Sequence, residues 1–274
     1  MKDEKIETLK RMYVDEKKST KEIGKYFGVT SKTIREWLHK NNILVRQSSE
    51  INRKYALDEE YFFDINTETK SYLLGFICAD GYLSRNRYGG VNTIGLAVKE
   101  EDVEVINLLQ TELKTNTPLR CIEKNKTIEL RVCSVKMARH LKLKGVEDNK
   151  SLTLNIEEVI EKSSISQELI PYFLLGYFDG DGGIYKYLGS NGKTYQYSMS
   201  ITGTRETCNY FYRFFEGVGF MTKRNKESDT NNYTYVVSGK NLTRQCLDKL
   251  YSTNYEHSLK RKKEKYLELK SPAT

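Results

Sequence analysis

One decapeptide occurs twice in this chain, and that repetition limits the folds open to it more than any other feature. Tyr72-Leu73-Leu74-Gly75-Phe76-Ile77-Cys78-Ala79-Asp80-Gly81 returns as Phe173-Leu174-Leu175-Gly176-Tyr177-Phe178-Asp179-Gly180-Asp181-Gly182, the last aspartates lying 101 positions apart. The segments downstream of the two copies are also alike. After the first, alternation predicts strands to Ser84 and over 91–98, then a helix carrying Val103, Ile106, Leu109 and Leu113. Strands near 119–122 and 128–133 and a helix over 135–143 come next. After the second copy, strands are expected over 184–188, 195–202 and 233–238, with helices over 207–218 and 242–250. Self-similarity at this period describes one supersecondary unit used twice: helix, two strands, helix, two strands, helix. Two such units form a pseudo-dimer within a single polypeptide, of α+β class.

Each decapeptide reads as a helix that closes at its Asp-Gly. Pro171 suits a first helical turn, and Gly81 and Gly182 are expected in the left-handed position that ends a helix. Gly75 and Ala79 are four residues apart, as are Gly176 and Gly180, so each pair shares one helix face with almost no side chain. An interior glycine costs about 1 kcal/mol relative to alanine. Close pairing of the two helices, backbone against backbone, offsets that cost. Asp80 and Asp181 then stand at helix C-termini, where the dipole and unpaired carbonyls are already negative. Brought together they repel, and a divalent cation removes the conflict. Carboxylates and backbone carbonyls, here of Ala79 and Gly180, are the hard oxygen ligands that magnesium takes, with manganese as a substitute.

Residues 1–45 read as three short helices. Ile6, Leu9, Met12 and Tyr13 have helical spacing; Ser19-Thr20-Lys21-Glu22 fits a capping box; Gly28-Val29 makes a tight turn; and Ile34, Trp37 and Leu38 mark the inner face of a third helix. This is the helix-turn-helix pattern, and its exposed Ser31, Lys32, Thr33 and Arg35 are short polar and basic side chains suited to phosphates and base edges. Residues 46–66 are polar with little periodicity and are expected to be a linker, its end at Tyr61-Phe62-Phe63 docking on the next domain.

Lys and Arg number 45 against 37 Asp and Glu, a surplus of +8, and the pI is near 9.0. That favours a polyanionic partner, nucleic acid first among them. No run approaches the length of a membrane span, and the N-terminus lacks a secretory apolar block. Five scattered cysteines without a C-x-x-C pair give neither a disulfide frame nor a zinc site. His39, His140 and His257 have no metal-ligand spacing, and no glycine-rich phosphate loop is present.

Both decapeptides resemble the signature of LAGLIDADG homing and intein endonucleases, with Cys78 standing where the first acidic position of that signature falls. The resemblance covers roughly residues 67–270. It implies two αββαββα halves, at 67–165 and 166–274, whose antiparallel sheets form a saddle over DNA. It further implies metal-dependent cleavage of both strands, with Asp80 and Asp181 as the metal-binding acids and 5′-phosphate and 3′-hydroxyl products. A basic residue comes after the last helix of each half in that family, which points to Lys150 and, in the second half, Lys260; Glu100 and Arg205 are water-orienting candidates. DNA reading is then assigned to strand faces, by Arg85, Arg87, Lys124, Lys126, Lys186, Tyr195, Gln196, Lys223, Arg224 and Lys226. Two hairpin tips, at 87–92 and 189–194, reach along the duplex, and the basic tail 260–265 adds phosphate contacts. The expected state is a monomer on double-stranded DNA, in the cytoplasm of a bacterium or phage host, or in an organelle. Two other readings use the same scaffold: a regulator that has lost cleavage, and an RNA-splicing maturase.

Overall fold

The computed structural model describes residues 3–43, 45, 54–85, 90–189, 192, 194–224 and 230–271. Arg87, Lys226 and part of each expected hairpin tip lie outside the described residues. Two compact units are present, Met1–Lys54 and Tyr55–Thr274.

In the smaller unit, α1 (Asp3–Lys10) continues into a wider turn over Arg11–Asp15, and α2 (Thr20–Phe27) and α3 (Ser31–Lys40) come after it. The capping box forms: the Ser19 hydroxyl accepts from the Glu22 amide, and the Glu22 carboxylate accepts from the Ser19 amide at 2.8 Å. Gly28 adopts φ 66° and ψ 31°, the left-handed turn between α2 and α3. Leu9, Met12, Tyr13, Ile23, Ile34 and Leu38 form the core of this unit.

The larger unit is built on two helices, α4 (Glu68–Asp80) and α8 (Ile170–Asp181). Residues 71–79 of α4 are all buried, as the run from Tyr72 to Ala79, apolar on every side, requires. The first half continues with β1 (Gly81–Arg85), β2 (Val91–Lys99), α5 (Val103–Glu112), β3 (Arg120–Ile122), β4 (Thr127–Cys133), α6 (Val135–Leu143) and α7 (Ile156–Lys162). The second has β5 (Gly182–Leu188), β6 (Tyr195–Gly203), α9 (Arg205–Phe214), β7 (Phe220–Lys223), β8 (Tyr233–Ser238), α10 (Lys240–Leu250) and α11 (Lys260–Lys270). The sheets are β1-β2-β4-β3 and β5-β6-β8-β7, antiparallel throughout. Sequence periodicity passed over β7, whose four residues are too few to show it, and α7.

Strand alternation assigns the two faces of each sheet. Leu83, Ile94, Leu96, Val98, Leu130 and Val132 turn inward, and in the second half Ile184, Tyr197, Met199, Ile201, Tyr235 and Val237 do the same. Each such side chain removed from water contributes about 1.5–3 kcal/mol, which fixes the register, because a slip of one residue would expose the whole set. The opposite faces are largely polar.

The expected linker is revised at its second half. Tyr61, Phe62 and Ile65 are buried in the larger core, Asp58 N donates to Leu113 O at 2.8 Å, and Ala56 N donates to Asn116 Oδ1 at 2.8 Å. Residues 55–66 therefore belong to the first half, their apolar side chains supplying what the polar composition obscured.

Candidate active site

Glycine spacing brings α4 and α8 together. A Cβ added at Gly75 would stand 2.0 Å from Phe173 O, and one at Gly176 would stand 2.0 Å from Tyr72 O. Each missing side chain admits the other helix's backbone. Near the C-terminal ends the approach persists: a Cβ at Gly180 would lie 2.4 Å from the Ala79 Cβ and 3.4 Å from Asp80 Oδ2. The closing glycines act differently from expectation. Gly81 (φ −69°, ψ 162°) and Gly182 (φ −95°, ψ 164°) are extended. Glycine is needed there for space, since a Cβ would meet Ile77 O at 2.7 Å and the Phe178 ring at 2.2 Å.

Asp80 and Asp181 line one cavity of about 440 Å³, open to solvent, with Tyr82, Lys150, Tyr177, Thr202, Thr204 and Asn232 around it. Burial first, and then the neighbouring Asp181 charge, raise the Asp80 carboxyl to about 6 against the pull of Lys262 and Lys150. Asp181 is also raised by burial, opposed by Lys150 and then Lys262. Two buried carboxylates at the negative ends of two helices, the charge of Asp181 opposing the ionisation of Asp80, form a donor set that fits a divalent cation. Among the described residues no cluster of three His, Cys, Asp or Glu side chains gathers. The ion's remaining ligands would therefore be backbone oxygens, with Ala79 and Gly180 the adjacent candidates, and water.

Two lysines close this arrangement. Lys150 is buried, and its Nζ donates to Cys78 O at 2.8 Å and to Ala79 O. Lys262 is 2% exposed, and its Nζ donates to Phe178 O, Asp179 O and Gly182 O at 2.7, 2.6 and 2.7 Å. Each ammonium thus neutralises the carbonyl end of its own motif helix. Burial lowers Lys262 to about 8 and lowers Lys150. Lys260, the expected partner of Lys150, is displaced from that role: its side chain is 78% exposed and faces Glu104 at 3.5 Å. A signal for Lys262 was present in the sequence. The buried residues of α11 are Lys262, Tyr266 and Leu269, a helical stripe that places the lysine on the inner face.

The sheet positions divide. Gln196 has the alternation of Ser198 and Ser200, away from the core. Lys186 shares the side of Ile184 and pairs with Glu268 of α11, and Lys223 shares the side of Met221. These two lysines therefore sit on the helix-covered side of their strands, because register parity, not charge, decides a strand's face. Arg85 pairs with Asp148 at 2.5 Å. Lys124 and Lys126 are exposed at the β3–β4 connection, Tyr195 is exposed at the start of β6, and Arg224 comes directly after β7, its charge reaching Asp181. Glu100 begins a short helical turn after β2, and Arg205 opens α9, its amide donating to Asn231. Charge-based reading missed the residues that furnish the open face of the first sheet: Tyr82 donates to Glu129 at 2.6 Å, Glu129 lies 3.7 Å from Arg120, and Arg131 is exposed beside them. In the smaller unit, Lys32 and Arg35 are exposed and Ser31 and Thr33 partly so.

No family model matches this chain, and no curated protein does. Solved structures similar to it include the I-LtrWI LAGLIDADG homing endonuclease bound to target DNA, at 14% identity and TM-score 0.47 over 77% of this chain and 90% of that one. The LAGLIDADG meganuclease I-AabMI bound to uncleaved DNA is 15% identical, with TM-score 0.43 over 74% and 98%. I-SmaMI bound to an uncleaved DNA target in the presence of calcium ions is 16% identical, with TM-score 0.40 over 73% and 97%. The doubled motif, the glycine-packed helix pair and the two β-sheets arranged around it make this chain's larger unit a duplicated α+β fold of two like halves.

Proposed function

We propose that the chain is a site-specific endonuclease that hydrolyses both strands of a DNA duplex with a divalent metal. One observation carries the reading: two acidic side chains, Asp80 and Asp181, meet at the ends of a helix pair whose glycines admit backbone contact, and each helix end holds a buried lysine. Such a concentration of charge costs stability, and phosphodiester chemistry gives it a use.

Asp80 and Asp181, with the carbonyls of Ala79 and Gly180, would hold the metal. When bound, it polarises a scissile phosphate and lowers the pKa of an attacking water. The Lys150 and Lys262 ammonium groups stand beside those carboxylates and stabilise charge that builds on phosphoryl oxygens in the transition state. Tyr177 lines the same cavity, its hydroxyl donating to Thr202 O at 3.0 Å. The open faces of β1–β4 and β5–β8 present Tyr, Ser, Thr, Gln and Arg side chains of the kind that read base edges in a major groove. The unit at 1–54 adds a second DNA contact through α3, raising affinity by tethering.

Incubation with a randomised duplex library in magnesium tests the function. Cut ends at one recovered sequence support it. Specific binding with no cuts in magnesium or manganese supports the regulator, and splicing of an intron RNA supports the maturase.

A further inference from the structure

The two motif ends differ in charge at one position. Two residues before the terminal aspartate, the first copy has Cys78, a buried thiol, and the second has Asp179, 1% exposed. Asp179 Oδ2 accepts from the Tyr72 hydroxyl of the opposite motif helix at 2.8 Å and from the backbone amide of Leu259 at 2.9 Å. Leu259 is the residue that opens α11, and no side chain of its own caps that helix. Three residues on, Lys262 reaches back to the carbonyls of Phe178, Asp179 and Gly182. The start of α11 is also held from the first half: Arg261 grips Asp102 through two bonds of 2.7 Å, and Lys260 N donates to Glu104 at 3.0 Å. Among the described residues no carboxylate tethered in this way serves Lys150, which hangs from a short turn over Lys150–Leu152 and donates to the carbonyls of Cys78 and Ala79.

We infer that Asp179 is a positioning residue for Lys262 and for that lysine alone, so that one of the two strand-cutting sites depends on it and the other does not. This rests on the endonuclease reading above. A buried ammonium without a nearby compensating charge is unfavourable. Asp179 supplies that charge, and its bond to Leu259 N sets where α11 begins and therefore where the Lys262 side chain starts. Tyr72 in turn orients the carboxylate. Lys150 has Cys78 where Lys262 has that acid, so its half-site is indifferent to both.

The test uses the full chain and a supercoiled plasmid carrying a duplex that the wild-type protein has selected from a randomised library, with magnesium and each strand labelled. Lys262→Met and Lys150→Met first identify which strand each lysine serves. Asp179→Asn is expected to slow the Lys262 strand about tenfold or more, to leave the Lys150 strand within about twofold, and to accumulate nicked circles. Adding Asp179→Asn to Lys262→Met produces no further slowing. Tyr72→Phe, which keeps the charge and removes one bond, gives the same bias in smaller measure and stands in should Asp179→Asn fail to fold. Equal slowing of both strands, or slowing of the Lys150 strand, overturns the inference while leaving the nuclease intact. Absence of any cutting by the wild-type protein removes the nuclease reading and this inference with it.

Discussion

Replacing Gly176 by alanine probes the helix apposition on which the site depends. The added methyl would stand 2.0 Å from Tyr72 O and 2.8 Å from Tyr72 C. Ordinary contact begins at 3.4 Å, so α4 and α8 must part locally by about 1.4 Å, the difference between those distances. The obstructing atoms are helix backbone, and no rotamer change relieves them. Overpacking of this kind costs about 3 kcal/mol, the upper part of its usual range, while alanine gains about 1 kcal/mol over glycine inside a helix. The net loss of about 2 kcal/mol lowers Tm by roughly 4–8 °C for a domain of this size. Separation on the order of 1 Å at the reacting groups slows cleavage about 10²-fold. Thermal melts monitored by circular dichroism, with single-turnover cutting of the selected target, read both effects. On an unpacked helix the same substitution stabilises, so an unchanged or higher Tm would refute the apposition by its sign alone.

Asp80→Asn and Asp181→Asn should each cut DNA about 10²–10³-fold more slowly and bind it in gel-shift assays with near wild-type affinity; full cutting by either variant removes that acid from the site. Magnesium should raise the Tm of the wild-type protein, by about 2.7 kcal/mol in stability at a hundredfold excess over Kd, and leave the double-asparagine variant unmoved; a chelator should abolish cutting. Burial depresses Lys262 to about 8, against an ordinary value of 10.5. Between those values the unfolded state binds more protons, so stability rises with pH, by on the order of 2 kcal/mol from about pH 8 to 9.5. Urea titrations should show that rise in the wild-type protein and a weaker one in Lys262→Met; identical pH responses would place the lysine in water. Deleting residues 1–54 should leave a folded chain that still cuts but binds DNA less tightly and with a shallower salt dependence; an unchanged salt slope would remove α3 from the DNA interface.

The sequence alone determined the duplication, the class of fold and the place of two aspartates at the ends of paired helices, because each is written in local pattern. A decapeptide repeated with its glycines in phase specifies helix pairing before any partner is known, and Asp80 and Asp181 carry their meaning in their place at its end. The capping box at Ser19 and Glu22 and the helix core of 1–45 were legible for the same reason, since their hydrogen bonds and apolar faces join residues three or four apart. What needed tertiary structure was every contact made across distance. Lys262 lies in a run of lysines that composition reads as solvated, and only the packing of α11 on α8 turns one of them inward. Lys186 and Lys223 fall on the covered side of their strands because register sets side-chain direction. Gly81 and Gly182 are small because neighbouring side chains and backbone crowd them, although the sequence suggested a left-handed turn. Asp179 gains its role from an amide eighty residues away, a partner that no periodicity can announce.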